Sequence, residues 1–277
     1  MLDPFQLQFM QRAALEVVLL TPLAGILGAQ IVLRHLAFFT HGVGAAAFPG
    51  LVVAGPLGIA PPLAALGVGL GFAAGLERLS RSARLPYDVS TALLLVLALA
   101  TGVVLASDVF GSGAEVDQLL FGSLLAIGSS ELAATAVALV IVVAATAVFR
   151  RAWVAGGFDP AGSRSLGLRV GLADWALVAA IAIAVVAAID AVGALLVSAV
   201  LVIPAATARL IASSVVSLEL TAASIALAEG LVGLWIAYQL DTPPGPTIAT
   251  LGGAVFAIAA LARVAADRPP GGERART

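Results

Sequence analysis

The residues of this sequence that could do chemistry are few, and nearly all lie within long apolar runs. His41 opens the stretch His41-Gly-Val-Gly-Ala-Ala-Ala-Phe-Pro49-Gly50, where a neutral imidazole could ligate a transition metal through a ring nitrogen. Glu229 lies at the middle of the run Leu218 to Leu240, between Ala228 and Gly230. A carboxylate at that depth of a hydrocarbon phase is costly unless it faces a polar interior. It is therefore expected to face a partner or a cavity or to stay protonated, with either a transport or gating role or a structural hydrogen bond to neighbours such as Ser224 or Tyr238. Glu16 sits one turn into the first run and is expected to snorkel outward. His35, beside Arg34, is expected at the interface, and Asp190 is expected to cap the helix that follows it. Two prolines interrupt apolar runs, in Phe48-Pro49-Gly50 and Ile203-Pro204-Ala205. Each removes a backbone donor and frees the carbonyl four residues back, which is tolerated in a bilayer where helices pack or line a cavity.

The chemistry that is missing is equally informative. The chain has no cysteine, so disulfides, thiolate metal sites and iron–sulfur clusters are excluded. All 14 basic residues are arginine, and a phosphate-binding P-loop requires a lysine. Energy from ATP must therefore enter through another subunit.

The elements that would position these residues follow from composition. With 277 residues, 61% of them hydrophobic and only 11% charged, and a mean hydropathy of +1.10, the chain belongs in a bilayer; soluble domains carry about 25% charged residues. The net charge of −2 points to no nucleic acid. Runs of about 20 apolar residues cover a hydrocarbon core roughly 30 Å thick. They predict an all-α polytopic bundle of about nine spans, within a range of eight to ten: Ala13 to Leu33, Leu36 to Gly58, Pro61 to Leu76, Val89 to Ala106, Leu132 to Phe149, Leu172 to Ile189, Ala191 to Ala212, Leu218 to Leu240 and Thr247 to Val264. The short third span is the weakest of them. The segment Leu119 to Gly128 is too short to cross and reads as re-entrant or interfacial. Residues 1–267 are expected to form the transmembrane domain, and 268–277 a disordered cytoplasmic tail.

Arginine placement orients the bundle. With the N-terminus outside, the cytoplasmic gaps receive Arg34; Arg78, Arg81 and Arg84; Arg150, Arg151, Arg164 and Arg169; Arg209; and Arg263, Arg268, Arg274 and Arg276, leaving only Arg12 outside. Such a one-sided distribution is the positive-inside signal. The longest cytoplasmic gap contains Phe158-Asp159-Pro160, followed by Ser163 and Gly167. Asp159 and Pro160 suit the N-cap and first position of a short helix ending near Gly167, on the face where an ATPase would dock. Gly67, Gly69, Gly71 and Gly75 form a small-residue face that is expected to allow close backbone packing within a bundle or dimer.

Three stretches resemble one family, the membrane permeases of zinc/manganese/iron-type ABC importers. They are Phe158-Asp-Pro with Leu166-Gly-Leu; the run from Val192 through Pro204-Ala-Ala-Thr-Ala-Arg209; and Asp241-Thr-Pro-Pro-Gly-Pro-Thr247. Their order and spacing cover nearly the whole chain. The resemblance implies a type II ABC importer fold, a homodimer of permeases in the bacterial cell (inner) membrane among its lipids, a cytoplasmic ABC ATPase dimer and an extracytoplasmic substrate-binding protein. In the family the second span reads Gly-Asp-Ala-x-Ser-His-Ala-x-x-Pro-Gly, and its Asp and His are thought to coordinate the passing metal. Here His41 stands in the Asp position and Ala45 in the His position, so the carboxylate is lost and one ligand is missing.

Together these readings give an importer permease that performs no covalent chemistry and binds no permanent cofactor. It moves a divalent transition-metal ion along a path near His41, Glu229 and Pro204, with His41 and Glu229 as metal ligands and Phe158, Asp159, Pro160, Ser163 and Gly167 coupling to the ATPase. Two alternatives stay open: the same fold importing a metal chelate or another small solute, and an ion-coupled secondary transporter with Glu229 as carrier.

Overall fold

The structure, a computed structural model, describes residues 3–83, 86–109, 122–159, 162, 170–194 and 196–266. Among the described residues there are nine α-helices: α1 (Gln8–Leu33), α2 (Ala37–Leu57), α3 (Pro61–Ala83), α4 (Tyr87–Val104), α5 (Ser129–Phe158), α6 (Val170–Val192), α7 (Val197–Arg209), α8 (Val215–Leu240) and α9 (Pro244–Ala266). Eight of them are long and apolar enough to cross a membrane. The expected polytopic bundle is therefore present. The third span, the weakest expectation, is a full helix of crossing length.

Local sequence sets the helix ends. Gly58 closes α2 in the left-handed conformation at φ 64°, the Gly128 N–H donates to Glu131 Oε2 at 2.9 Å to open α5, and the Ser214 hydroxyl accepts from the Ser217 N–H at 3.1 Å to open α8. Each of these bonds satisfies a backbone or side-chain group that a helix terminus would otherwise leave orphaned.

The seventh predicted span differs most from expectation. α6 continues through Asp190, which lies in its last turn rather than capping the next helix. The chain then turns at Gly193, φ 94°, and α7 has only 13 residues, roughly 20 Å at 1.5 Å per residue, too short to cross by itself. The break thus falls at 193–196 and not at Pro204, which sits buried inside a continuous α7. α2 likewise runs unbroken through Pro49 and Pro56. The described part of the suspected re-entrant segment does not cross. It forms a single 3-10 turn, Leu124–Ala126, with Leu124 and Ile127 buried and the Ser123 N–H donating to the Asp190 carbonyl at 3.0 Å. Leu119, Leu120 and Phe121 lie outside the described residues, as do 267–277, where the tail was expected.

Packing gathers the helices into two groups, joined to each other where α5 lies against α6. α1 lies against α5, α7, α8 and η-turn Leu124–Ala126, while α2 lies against α3, α4 and α6, and α1 and α2 barely touch although they are neighbours in sequence. The short α7 reaches both groups, touching α1, α2, α6, α8 and α9. Close approach on the α1 side depends on Gly25 and Gly28. A Cβ at Gly25 would come within 2.7 Å of the Glu219 carbonyl oxygen, and one at Gly28 would run into the Leu201 carbonyl and sit 2.9 Å from Ala205 Cβ. The small-residue face expected on α3 is used in part: a Cβ at Gly69 would lie 3.5 Å from Val43 of α2 and one at Gly75 3.8 Å from Leu94 of α4, whereas among the described residues Gly67 and Gly71 have no neighbour within 4 Å.

Candidate functional site

His41 lies in the second turn of α2, and its Nδ1 is 3.1 Å from the Ser198 hydroxyl of α7; which of the two donates follows the imidazole tautomer. α2 can come this close because Gly44 sits against the 193–197 turn, where a Cβ would approach the Ala194 carbonyl oxygen to 2.6 Å. His41 and Ser198 are both half-buried. Ala45, one turn further along the same face of α2, is fully buried and supplies no ligand. Among the described residues no group of three or more His, Cys, Asp or Glu side chains could hold a metal ion. One chain therefore offers an imidazole nitrogen with a hydroxyl beside it, and not a closed set of three or four donors.

Glu229 is elsewhere. It lies in mid-α8, is 6% exposed, and reaches a cavity lined by Thr21, Val200, Pro204 and Gly252 among other residues, His41 not being one of them. Successive helical residues are rotated by about 100°, so Ser198 points to one face of α7 while Ala199, Val200 and Ile203, which line the Glu229 cavity, point to the other. The structure does not bring His41 and Glu229 together: α7 stands between them. Neither of the expected hydrogen-bond partners serves Glu229. The Ser224 hydroxyl donates to the Leu220 carbonyl at 2.9 Å, and Tyr238 is 39% exposed with its ring against Phe9.

Glu16 does not snorkel. It is 1% exposed and accepts a 2.6 Å hydrogen bond from the Thr135 hydroxyl, which ties α1 to α5. No local pattern signals this pairing, since the two residues are 119 positions apart.

At the other end of the bundle, the root of the expected coupling loop is built around Arg34. Its Nη1 donates to Asp174 Oδ1 at 2.6 Å and its Nη2 to the Trp153 carbonyl at 2.9 Å, while the fully buried Trp153 donates its indole N–H to the Ala173 carbonyl at 2.7 Å. The end of α1 is thereby joined to the end of α5 and the start of α6. The next residue, His35, adopts the left-handed conformation at φ 57° before α2 begins. Of the loop residues, Phe158 is 63% exposed, and Asp159 Oδ1 accepts from the Gly162 N–H at 2.8 Å, the bond expected of an N-cap. Pro160, Ser163 and Gly167 lie outside the described residues. Arg34 had counted only as a topological charge, and its role has no sequence signal because its partners lie more than 110 positions away.

Comparison with known proteins matches the sequence profile described as "ABC 3 transport family" to residues 6–263. The chain is 33% identical over 250 residues to a probable metal transport system membrane protein of Thermotoga maritima, covering 89% of this chain and 87% of that one. It is 26% identical over 256 residues to the manganese transport system membrane protein MntC of Listeria monocytogenes, covering 92% and 91%. In fold it is similar to a chain of PsaBC from Streptococcus pneumoniae in complex with Fab, with a TM-score of 0.85 at 24% identity over 93% of each chain. It is also similar to an inward-facing putative metal-chelate type ABC transporter, with a TM-score of 0.74 at 17% identity over 95% and 90%.

Proposed function

The chain belongs to the ABC 3 transport family, and from this we propose that it is the permease subunit of an ATP-driven importer carrying a divalent transition-metal ion, manganese before zinc or iron. Relatives named for manganese, metal and iron transport support that order. The permease works as a homodimer in the bacterial cell membrane with its C-terminus in the cytoplasm, where it binds an ABC ATPase dimer; an extracytoplasmic binding protein delivers the ion. Hydrolysis belongs to the ATPase, because this chain has no lysine for a P-loop.

The observation that carries the site assignment is the His41–Ser198 contact between α2 and α7. The contact supports the reading because an imidazole, a common metal ligand, lies between α2 and α7, where rocking of one helix group against the other would open and close a path. A two-fold dimer presents a second His41 to a shared axis, and two imidazoles with two hydroxyls come closer to a transition-metal donor set than either chain alone. The ion is cargo, held weakly enough to leave. Glu229 lines a cavity that His41 does not.

On the cytoplasmic side, ATPase closure presses on the loop after Phe158 and Asp159, with Pro160, Ser163 and Gly167 completing the docking element. Arg34 then relays the movement of the ends of α5 and α6 to the α1–α2 joint, and so to His41. Loss of the cap in Asp159→Ala is expected to cost about 1 kcal/mol of local helix stability and to weaken ATPase co-purification, with little change in the melting temperature of the permease alone.

Uptake of radioactive manganese, zinc and iron by cells provides the test. His41→Ala is expected to reduce uptake of the cognate ion about 10- to 100-fold, the range typical for loss of a group that tunes a metal site, with the protein still present in the membrane. Unchanged uptake in that variant would remove His41 from the path. A second reading, import of a metal chelate, is favoured by the single nitrogen donor per chain. Transport of a chelated metal in preference to the free ion would establish it.

A further inference from the structure

The cavity at Glu229 is separate from the His41 path and has its own chemistry. Among the described residues Glu229 Oε1 is buried without a hydrogen-bond partner, a costly arrangement for a carboxylate. Its other oxygen, Oε2, is accommodated by Gly252 of α9, where a built Cβ would lie 2.9 Å away. The cavity that Glu229 reaches holds about 30 Å³ in all, room for an ion or about two waters, since one water needs roughly 10–15 Å³ by the same measure. Two further oxygens belong to residues of its wall. The Thr21 hydroxyl donates to the Val17 carbonyl at 2.9 Å, which leaves its lone pairs free to coordinate. Pro204 has no N–H, so the Val200 carbonyl loses its helical donor, and both Val200 and Pro204 line the cavity. The rest of the wall is aliphatic, including Leu20 and Ile248.

We propose that Glu229, Thr21 and the Val200 carbonyl contribute to a binding site for one monovalent metal cation of the size of sodium, with water completing its shell. Charge balance selects the valence. A single carboxylate neutralises one positive charge, and a divalent ion would leave a net charge among aliphatic side chains, where uncompensated charge is expensive. Oxygen donors suit hard ions, manganese included, so it is the charge balance and not the donor type that selects a monovalent ion. A carboxylate, a hydroxyl and a carbonyl without its helical donor, near the bilayer midplane, are groups able to coordinate such a cation. Glu229 is roughly 21 Å from the start of α8 at 1.5 Å per residue, which sets it at that depth. With the ion bound, α1, α7 and α8 would be tied into one block, the block against which α2 moves.

The full chain in nanodiscs provides the test, without ATPase or transport. Saturable binding of radioactive sodium at one ion per chain is expected, with a melting temperature several degrees higher in sodium chloride than in choline chloride of equal ionic strength, as for any ligand bound only by the folded state. Glu229→Gln is expected to abolish both effects. Gly252→Ala, which keeps the carboxylate but crowds Oε2, is expected to weaken sodium binding at least tenfold and serves if the first variant does not fold. Equal melting temperatures in sodium and choline, with no saturable sodium binding, would overturn the proposal. So would a stabilisation that follows pH alone in choline, since the proton would then be the only cation balancing Glu229.

Discussion

Arg34→Ala is expected to reduce metal uptake at least tenfold while the assembled complex continues to hydrolyse ATP. The guanidinium holds three parts of the chain at once: its own helix α1, the Trp153 carbonyl near the end of α5, and Asp174 near the start of α6. α5 and α6 are the two roots of the loop proposed to meet the ATPase. Without Arg34 their movement is no longer transmitted to the α1–α2 joint, and hydrolysis becomes uncoupled from transport. The same change also costs stability. Hydrogen bonds to charged groups contribute about 1.5–3 kcal/mol each, but the Asp174 side chain is 45% exposed and that ion pair is partly screened, so a total near 3 kcal/mol is expected. Arg34→Lys separates the two effects. It keeps the charge but lacks the planar fork that reaches a carboxylate and a carbonyl together, so it should restore part of the melting temperature and little of the coupling. Equal loss of hydrolysis and uptake in Arg34→Ala, with wild-type melting, would show that the clamp does not transmit.

Gly28→Leu is expected to prevent the α1 side of the bundle from assembling. A Cβ at this position meets the Leu201 carbonyl and Ala205 Cβ of α7, and backbone atoms of a neighbouring helix cannot turn aside as a flexible side chain can. Overpacking a well-filled interior costs about 1–3 kcal/mol when side chains can adjust, and here the helices themselves must separate. Because α7 touches both helix groups, that separation also disturbs the His41–Ser198 contact. The expected outcome is little or no monodisperse protein after extraction from the membrane. Gly67→Leu is the control, since no atom lies within 4 Å of its built Cβ, and it should leave the melting temperature of the folded chain near that of wild type. Normal yield and melting of Gly28→Leu would mean that α1 and α7 are not packed as described.

What the sequence determined by itself was whatever depends on local composition. Apolar runs long enough to cross a bilayer can only be helices, because the backbone must satisfy its own hydrogen bonds in lipid, and eight of the nine runs became helices of crossing length. Missing lysine and cysteine removed whole classes of chemistry, and the run through Pro204 carried the family resemblance that the profile match upholds. The short seventh helix was misread because hydropathy continues across Gly193 while the backbone does not: a residue at φ 94° ends α6 without any change in polarity. Pro204 attracted attention as a break, yet a buried helix can continue through proline when its neighbours hold it in place.

The tertiary structure decided which of the polar residues meet. His41 and Glu229 looked alike in sequence, each a polar residue in an apolar helix, and only the position of α7 between them assigns His41 to Ser198 and Glu229 to its own cavity. Glu16 was set aside as able to reach water, but α5 covers it and supplies Thr135. Arg34 was one charge among 14, and packing made it the joint between α1, α5 and α6. Hydrophobic burial is non-directional and can be read from composition, whereas a hydrogen bond or an ion pair requires two atoms within about 3 Å, and that distance is set only when helices far apart in sequence come to rest against one another.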